Sequence, residues 1–396
     1  MKVALLCENY YPTLGGIQEH VYHLAQGLRR VGVDAKVITG LPRVKQWRGP
    51  RDEDWVLRVG SGTRYGALGT ASASTFGPRV AWNLHKTLAR ERFDLVHVHG
   101  PSDVGLPVLL YLLSNLPTIA TLHSPMNDMA RVRRLFRGFY RWSMARHQAV
   151  IAVSEAARLA MGKLVTFDSE VIPNGVDVRA MSSGKPMQRY RDGKFNILML
   201  GRLEPRNGPD LMFNALPEIL KVHPDVRLLV AGEEKPSGTE RHKAMVPQAA
   251  RDNVVFLGSV FEERPDVYAT ADLCVLPARA GTFSIILLEA LAAGKPVVAT
   301  PFVQACRKDK HWATVTLSDD ISTESLVRAL VPAIAEAKRD GASERVRQGR
   351  EIVQAFDWSA VCGKVLGVYE RVLGWPSTAL AVNFPKTCET HAGLRR

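Results

Sequence analysis

A β-rich run that ends in paired glycines is a place where a chain can hold an anion, and this 396-residue sequence carries one near its start. Residues 3–7, Val-Ala-Leu-Leu-Cys, pass through Tyr10-Tyr11-Pro12 to Gly15-Gly16 and then into helical periodicity. Glycines at such a turn let backbone N–H groups approach an anion at the helix N-terminus. A plain tight turn uses the same pair. No G-x-G-x-x-G is present, and the second strand-like run ends Thr39-Gly40-Leu41 with no acid for a ribose, which removes most support for a dinucleotide oxidoreductase. In the second half, residues 196–200 run into Gly201-Arg202-Leu203-Glu204-Pro205-Arg206-Asn207-Gly208. Two arginines directly after a strand end suit a diphosphate, through charge-assisted and often bidentate hydrogen bonds. A solvated loop is the bland alternative. Glu289 lies in the otherwise apolar stretch Ser284-Ile285-Ile286-Leu287-Leu288-Glu289-Ala290-Leu291, where an unpaired carboxylate is costly. It must be exposed, paired or waiting for a ligand, and a carboxylate can accept both hydroxyls of a ribose.

Two further groups have metal-like spacing. His97 and His99 alternate on a strand and share a face, yet no third ligand is apparent, so hydrogen-bonded structural histidines are the better reading. Asp52-Glu53-Asp54 has the form of a D-x-D metal motif only superficially and reads as a solvated charge run.

The elements that must position these residues alternate regularly. Strand-like runs fall at 3–7, 35–39, 95–99, 118–122 and 149–153, then at 196–200, 226–230, 254–257, 273–276 and 296–299. Each is nearly continuously apolar, as strands covered on both faces are. Helical periodicity separates them, at 18–30 and 209–222 among others, and strand–helix alternation predicts parallel, doubly wound sheets. The polar stretch 183–194 divides the chain into two Rossmann-like domains, 1–185 and 186–375. Ligands then bind outside the carboxyl ends of the strands, in a cleft between the domains. The last periodic segment, 358–373, is expected to cross back to the first domain, and 376–396 to be a frayed tail.

Composition narrows the classes. With 46% hydrophobic and 23% charged residues the chain can bury two cores, and no apolar run approaches the ~18–20 residues of a spanning helix. Five scattered cysteines form no CxxC pair, and Met1-Lys2-Val3-Ala4 starts no leader-like segment, so a reducing cytoplasm is expected. Cys7 and Cys274 sit in apolar runs and read as core residues. The formal charge of +13 is one-sided: residues 1–190 hold 25 Lys and Arg against 14 Asp and Glu. Such an excess concerns anionic partners rather than fold. The stretch 131–146 adds six arginines among Phe136, Phe139, Tyr140 and Trp142. At helical spacing Val132, Leu135, Phe136, Phe139 and Trp142 lie toward one side and Arg134, Arg137 and Arg141 toward another, as in segments that lie on anionic membranes. No nucleic-acid signature accompanies it, so no nucleic-acid partner is expected. A core-packed helix with a solvated basic face remains the alternative.

Together these pieces resemble the retaining family-4 glycosyltransferases of the GT-B fold, across residues 1 to about 375. The resemblance rests on Gly15-Gly16, Ile172-Pro173-Asn174-Gly175-Val176-Asp177, Gly201-Arg202-Leu203, the block 283–299 and Phe356-Asp357-Trp358. The opening, Tyr11-Pro12 then Gly15-Gly16-Ile17-Gln18-Glu19-His20, looks most like enzymes that glycosylate phosphatidylinositol. It implies that Gly15 and Gly16 offer backbone to a donor diphosphate, that Arg202 binds the same group and that Gln18 lies on the acceptor side. It also implies that Glu289 holds the donor ribose, that backbone at Ser284, Ile285 and Ile286 contacts the donor, and that His123 touches the donor sugar. Transfer would retain configuration without a metal or other cofactor, moving sugar from a nucleotide diphosphate donor to a lipid such as phosphatidylinositol at the inner membrane face. The sequence departs from the family at two places: Gly281 stands where Glu is usual, and Asn207 where Lys is usual, with Arg206 next door to supply charge. A nucleotide-sugar 2-epimerase of the same fold and a non-catalytic sugar-nucleotide binder are the alternatives.

Overall fold

The protein is seen in a computed structural model that describes residues 1–13, 15–42, 51–61, 63–67, 70–123, 136–232, 236–280, 284–301, 314–340 and 344–375. The first half contributes strands β1 (Lys2–Cys7), β2 (Asp34–Thr39), β3 (Val56–Arg58), β4 (Thr63–Ala67), β5 (Thr70–Ser74), β6 (Leu95–His99), β7 (Thr118–Leu122), β8 (Ala149–Ala152) and β9 (Glu170–Val171). The second contributes β10 (Phe195–Leu200), β11 (Val226–Ala231), β12 (Val254–Gly258), β13 (Leu273–Leu276), β14 (Val297–Ala299) and β15 (Val315–Leu317). Two parallel sheets result, in the orders β3-β2-β1-β6-β7-β8-β9 and β12-β11-β10-β13-β14-β15, with β4 and β5 forming a separate hairpin. This is the expected pair of doubly wound α/β domains.

Period-two alternation explains why these runs are apolar throughout. In β1, Val3, Leu5 and Cys7 pack with Val21, Leu24 and Leu28 of helix Gly16–Arg30, whereas Ala4 and Leu6 pack with Leu84 and Leu110 of the helices on the other face. The second sheet divides its residues in the same way, Ile197 and Met199 to one side and Leu198 to the other. Cys7, Cys274 and Cys362 are free, buried members of these cores.

The sequence pattern misses five strands. Three of them, β3, β9 and β15, are two or three residues long, too short to show a period, and β4 and β5 are five-residue hairpin strands of mostly small residues without an apolar run. Pro296, read as the start of a strand, lies just outside β14, where its missing N–H costs no ladder bond. The polar stretch around 183–194 is pinned rather than loose: Arg227 of β11 donates to Asp192 at 2.8 and 2.9 Å, and Asp192 is thereby held below the usual carboxylate range. The last helix, Trp358–Leu373, packs on helix Gly16–Arg30 so closely that a Cβ at Gly27 would stand 2.3 Å from Cys362 Sγ. Residues 376–396 lie outside the described residues, as do Cys306 and Cys388.

Strand order reverses at β1, which lies between β2 and β6, and again at β10, between β11 and β13. Loops that leave a reversal point part in opposite directions and open a crevice at the carboxyl ends of the strands. The segments after β1, β6, β10 and β13 are therefore where a ligand belongs. They hold Gly15-Gly16, Gly201 to Gly208 and Ser284.

Candidate functional site

The loop after β10 is held by local chemistry. Gly201 has φ 136° and Gly208 has φ 66°, both in a region that favours glycine. A Cβ at Gly208 would meet the Pro277 carbonyl at 2.0 Å, so only glycine lets this loop press against the one after β13. Arg279 locks the two together, its backbone N–H donating to Arg206 O at 2.7 Å and its guanidinium to Pro205 O and to both oxygens of Asp210. Arg202 and Arg206 share one carboxylate, Glu204, at 3.1 and 2.8 Å, and both are roughly half-exposed. Asn207 donates through Nδ2 to Arg202 O at 2.6 Å, so the residue in place of the usual lysine shapes the loop instead of carrying charge.

Helix Ile285–Ala292 points its N-terminus at this loop, capped by Ser284, whose Oγ accepts from Leu287 N–H. A Cβ at Gly16 would lie 3.8 Å from Ile285 Cδ1, and one at Gly201 3.2 Å from Ile286 Cδ1. The two glycine turns, one from each domain, thus meet the same helix end. Free N–H groups and a positive dipole end gather there, which suits a diphosphate.

Glu289 sits one turn further along, 5% exposed. Its carboxylate accepts from Arg264 Nη1 at 2.8 Å and from the Tyr268 hydroxyl at 2.9 Å, so of the three states open to it the paired one holds. Arg264 also donates through Nη2 to Glu19 Oε1 at 2.8 Å, on the first domain's helix Gly16–Arg30. A buried guanidinium therefore bridges carboxylates from both domains. Burial disfavours its charge, but the two carboxylates outweigh burial and hold it well above its usual value. Burial likewise pushes Glu19 up, and the Arg264 charge and His23 overturn this to leave it at about 2. Sequence reading does not find Arg264 or Tyr268, which have no local signature, and assigns no role to Glu19 of the opening motif.

On the first domain, the Gln18 side chain folds back over Gly15, where a Cβ would stand 2.7 Å from Gln18 Oε1. His123, directly after β7, joins His99 of β6 and His20 of the first helix: His99 Nδ1 and His123 Nε2 are 3.0 Å apart, and the His20 and His123 ring centres 4.8 Å. The third imidazole absent from the local pattern around His97 and His99 is therefore supplied by distant residues. His97 itself turns away to Tyr369 and Thr121, at 2.7 and 2.6 Å. The Ile172-to-Asp177 motif has a structural meaning too. Asn174 Oδ1 accepts from His20 Nδ1 at 2.9 Å, and Gly175 leaves room for the Trp358 ring.

Asp52 and Glu53 are taken up by Arg58 and the Trp55 indole, in keeping with a charge run rather than a metal motif. Of the basic stretch 131–146, residues 131–135 lie outside the described residues, as does Gly281. Helix Arg137–Met144 keeps the predicted sides, Phe139 and Trp142 on one and the exposed Arg137 and Arg141 on another, but turns its aromatic side onto the protein. Trp142 packs edge-on against Tyr111 at 5.5 Å and Phe139 leans on Trp142, while Arg137 Nε donates to Leu164 O. Of the aromatics, Phe136 projects into solvent, 56% exposed.

Two doubly wound parallel-sheet domains are the architecture of the GT-B glycosyltransferase fold. A family model described as Glycosyltransferase Family 4 matches residues 14–180, another described as Glycosyl transferases group 1 matches residues 194–336, and the chain belongs to the family-4 glycosyltransferases. It is 30% identical over 383 residues to a phosphatidyl-myo-inositol mannosyltransferase of Mycobacterium tuberculosis, covering 94% of this chain and 98% of that one. It is 25% identical over 389 residues to the GPI3 subunit of phosphatidylinositol N-acetylglucosaminyltransferase of Saccharomyces cerevisiae, 94% of this chain and 83% of that one. Among solved structures it is similar to sucrose-phosphate synthase of Thermosynechococcus elongatus, with TM-score 0.74, 19% identity and coverage of 94% and 99%. It also matches Anabaena HepE in complex with UDP, with TM-score 0.70, 17% identity and coverage of 94% and 100%.

Proposed function

We propose that this protein transfers a sugar, with retention, from a nucleoside diphosphate donor to a phosphatidylinositol-type lipid at the inner face of the membrane. The observation that carries the reading is the meeting of Gly16, Gly201 and the N-terminus of helix Ile285–Ala292, with Glu289 one turn behind. The helix end and Arg202 stabilise charge on the departing diphosphate as the sugar becomes oxocarbenium-like, which places the catalytic effort in fixed dipoles rather than in a metal ion. Arg206 lends a second positive charge beside Arg202, in place of the lysine that Asn207 replaces. Glu289 accepts the ribose hydroxyls on lone pairs not used by Arg264 and Tyr268. His123 faces the donor sugar and Gln18 the acceptor. The names of the relatives support both the lipid and a hexosyl donor, and HepE is a relative in shape that holds UDP. An epimerase or a silent binder has no such support.

The lipid reading draws on the surface as well. Among the described residues no helix is long and apolar enough to cross a membrane. Phe76, Trp82, Val104 and Leu112 are each more than half exposed, on or beside helices Pro78–Glu91 and Leu106–Leu113. Lys86 lies 5.0 Å over the Trp82 ring, and Trp142 of helix Arg137–Met144 packs on Tyr111 of helix Leu106–Leu113. Exposed aromatics beside basic groups suit an anionic lipid interface.

The test is to incubate the purified protein with phosphatidylinositol vesicles and a panel of GDP- and UDP-sugars. Mass spectrometry should find a glycosylated lipid with one donor, and an anomer-specific glycosidase should release the sugar with its donor configuration. Nucleotide release without any glycolipid, or an inverted product, sinks the reading.

A further inference from the structure

Three imidazoles, from the carboxyl ends of β6 and β7 and from helix Gly16–Arg30, converge, and two of them hold a buried ring nitrogen that the protein does not satisfy. One ring nitrogen from each of His20, His99 and His123 lies within 4.8 Å of the other two. His20 Nδ1 faces an amide oxygen, Asn174 Oδ1, so it carries the proton and Nε2 is left as a bare lone pair. That Nε2 is buried and unpartnered, and so is His99 Nε2, with the two residues 2% and 1% exposed. A buried polar atom without a partner costs about 1–3 kcal/mol, and two in one cluster call for a reason. His97 is the contrast: equally buried, it has both ring nitrogens satisfied.

The donor set selects a class of ion. Only imidazoles converge here: among the described residues no carboxylate or thiolate joins them. Calcium and magnesium want oxygen, whereas neutral imidazole suits zinc, nickel, copper and cobalt. Burial keeps all three rings in the neutral, ligating form, pushing His20 down to about 4 and His99 and His123 well below their usual value. An amide oxygen that accepts from the far nitrogen of His20 is the outer support typical of a ligating histidine. Zinc–nitrogen bonds of about 2.0–2.1 Å place ligand nitrogens roughly 3.3 Å apart. His99 Nδ1 and His123 Nε2, hydrogen-bonded to each other at 3.0 Å, are near that spacing. His99 would then ligate through Nδ1 and keep its proton on the unpartnered Nε2. The third nitrogen, from His20, lies within 4.8 Å and closes the remainder by a side-chain shift. His123 is the partly exposed member, so the fourth position opens toward the cleft.

We propose that His20, His99 and His123 form a site for a divalent transition ion such as zinc, separate from the transfer chemistry, and that an ion bound there inhibits transfer by occupying His123. The inhibition rests on the reading of His123 as a donor contact. The ion binding does not.

The experiment uses the full chain stripped with a chelator, then titrated with Co²⁺ by visible absorption and with Zn²⁺ by calorimetry. One equivalent of Co²⁺ should give the intense visible bands of a four-coordinate ion. Zn²⁺ should displace it, and His20→Gln and His99→Gln should each weaken binding at least tenfold. His85→Gln, on an exposed helix face, should leave it unchanged. Absence of a stoichiometric site in the unmutated chain, or only the weak bands of six-coordinate cobalt, overturns the proposal without relying on any variant. Equal binding by folded His20→Gln and His99→Gln also overturns it. In the transfer assay Zn²⁺ should inhibit the unmutated chain, and His99→Gln should need at least tenfold more Zn²⁺ for the same inhibition. If the ion binds with cobalt's four-coordinate signature yet transfer is insensitive to it, the site stands and the role given to His123 falls.

Discussion

A carboxylate buried in an apolar helix must be explained by what it touches, and Glu289 touches a bridge rather than water. Its Arg264 and Tyr268 partners use one lone pair on each oxygen, leaving one on each for a ribose. Glu289→Ala should therefore weaken nucleoside diphosphate binding by about tenfold to a hundredfold, the worth of charged hydrogen bonds, measured by calorimetry on folded protein. Glu19, at the other end of the bridge, predicts an acid dependence. Its folded value of about 2 lies below the ordinary 4.5, so the stability it contributes is present above 4.5 and is lost as pH falls toward 2. Glu19→Gln should remove about 2 kcal/mol of that pH-dependent loss between pH 5 and 3, read as a shallower fall in urea-unfolding free energy over that range. A slope identical to the parent's would mean that Arg264 does not hold Glu19.

Elements are positioned by a few close approaches. Gly27 and Cys362 let the last helix lie on the first, and Asp357 caps that helix by accepting from Ser359 N–H at 2.9 Å. Gly27→Ala should cost about 1–3 kcal/mol through overpacking against the sulfur. The same change in a Cys362→Ala background should cost less than 1 kcal/mol, because a Cβ at position 27 clears the remaining Cβ by 3.5 Å. A double-mutant cycle by chemical denaturation checks this. The donor loop depends on Arg279 in the same way. Arg279→Ala should reduce diphosphate affinity by roughly tenfold through a looser loop, while circular dichroism stays unchanged. Full affinity in that variant would show that Gly208 alone shapes the loop. Sequence patterns reveal the glycines of both loops but not the brace, since Asp210 and Arg279 are 69 residues apart.

At the scale of the whole molecule the charge excess of the first half meets an apolar face of the same domain. If lipid docks there, the protein should pellet with anionic vesicles, less so as salt rises, because exposed charges are screened over ~8 Å at physiological ionic strength. Trp82→Glu with Leu112→Glu should abolish pelleting and leave nucleotide affinity intact. Undiminished co-sedimentation of that variant would move the membrane contact elsewhere. Trp142, one of the aromatics of the basic stretch, is half-buried against Tyr111 and so turned from solvent.

By itself the sequence determined whatever acts over a few residues. Apolar runs became strands, β10 and β13 among them. Helical spacing became helices Pro209–Val222 and Trp358–Leu373 at the expected bounds, and paired glycines marked the turns that meet at the cleft. The apolar surroundings of Glu289 already required it to be exposed, paired or waiting for a ligand. Only the tertiary structure chose Arg264 for it and tied Arg264 to Glu19, 245 residues away. It alone separated His97, satisfied by Tyr369 across 272 residues, from His99, which meets His20 and His123. Periodicity and turn chemistry are local, whereas which imidazoles or charges share a site follows from strand order and helix crossing, and those are settled by packing across the whole chain.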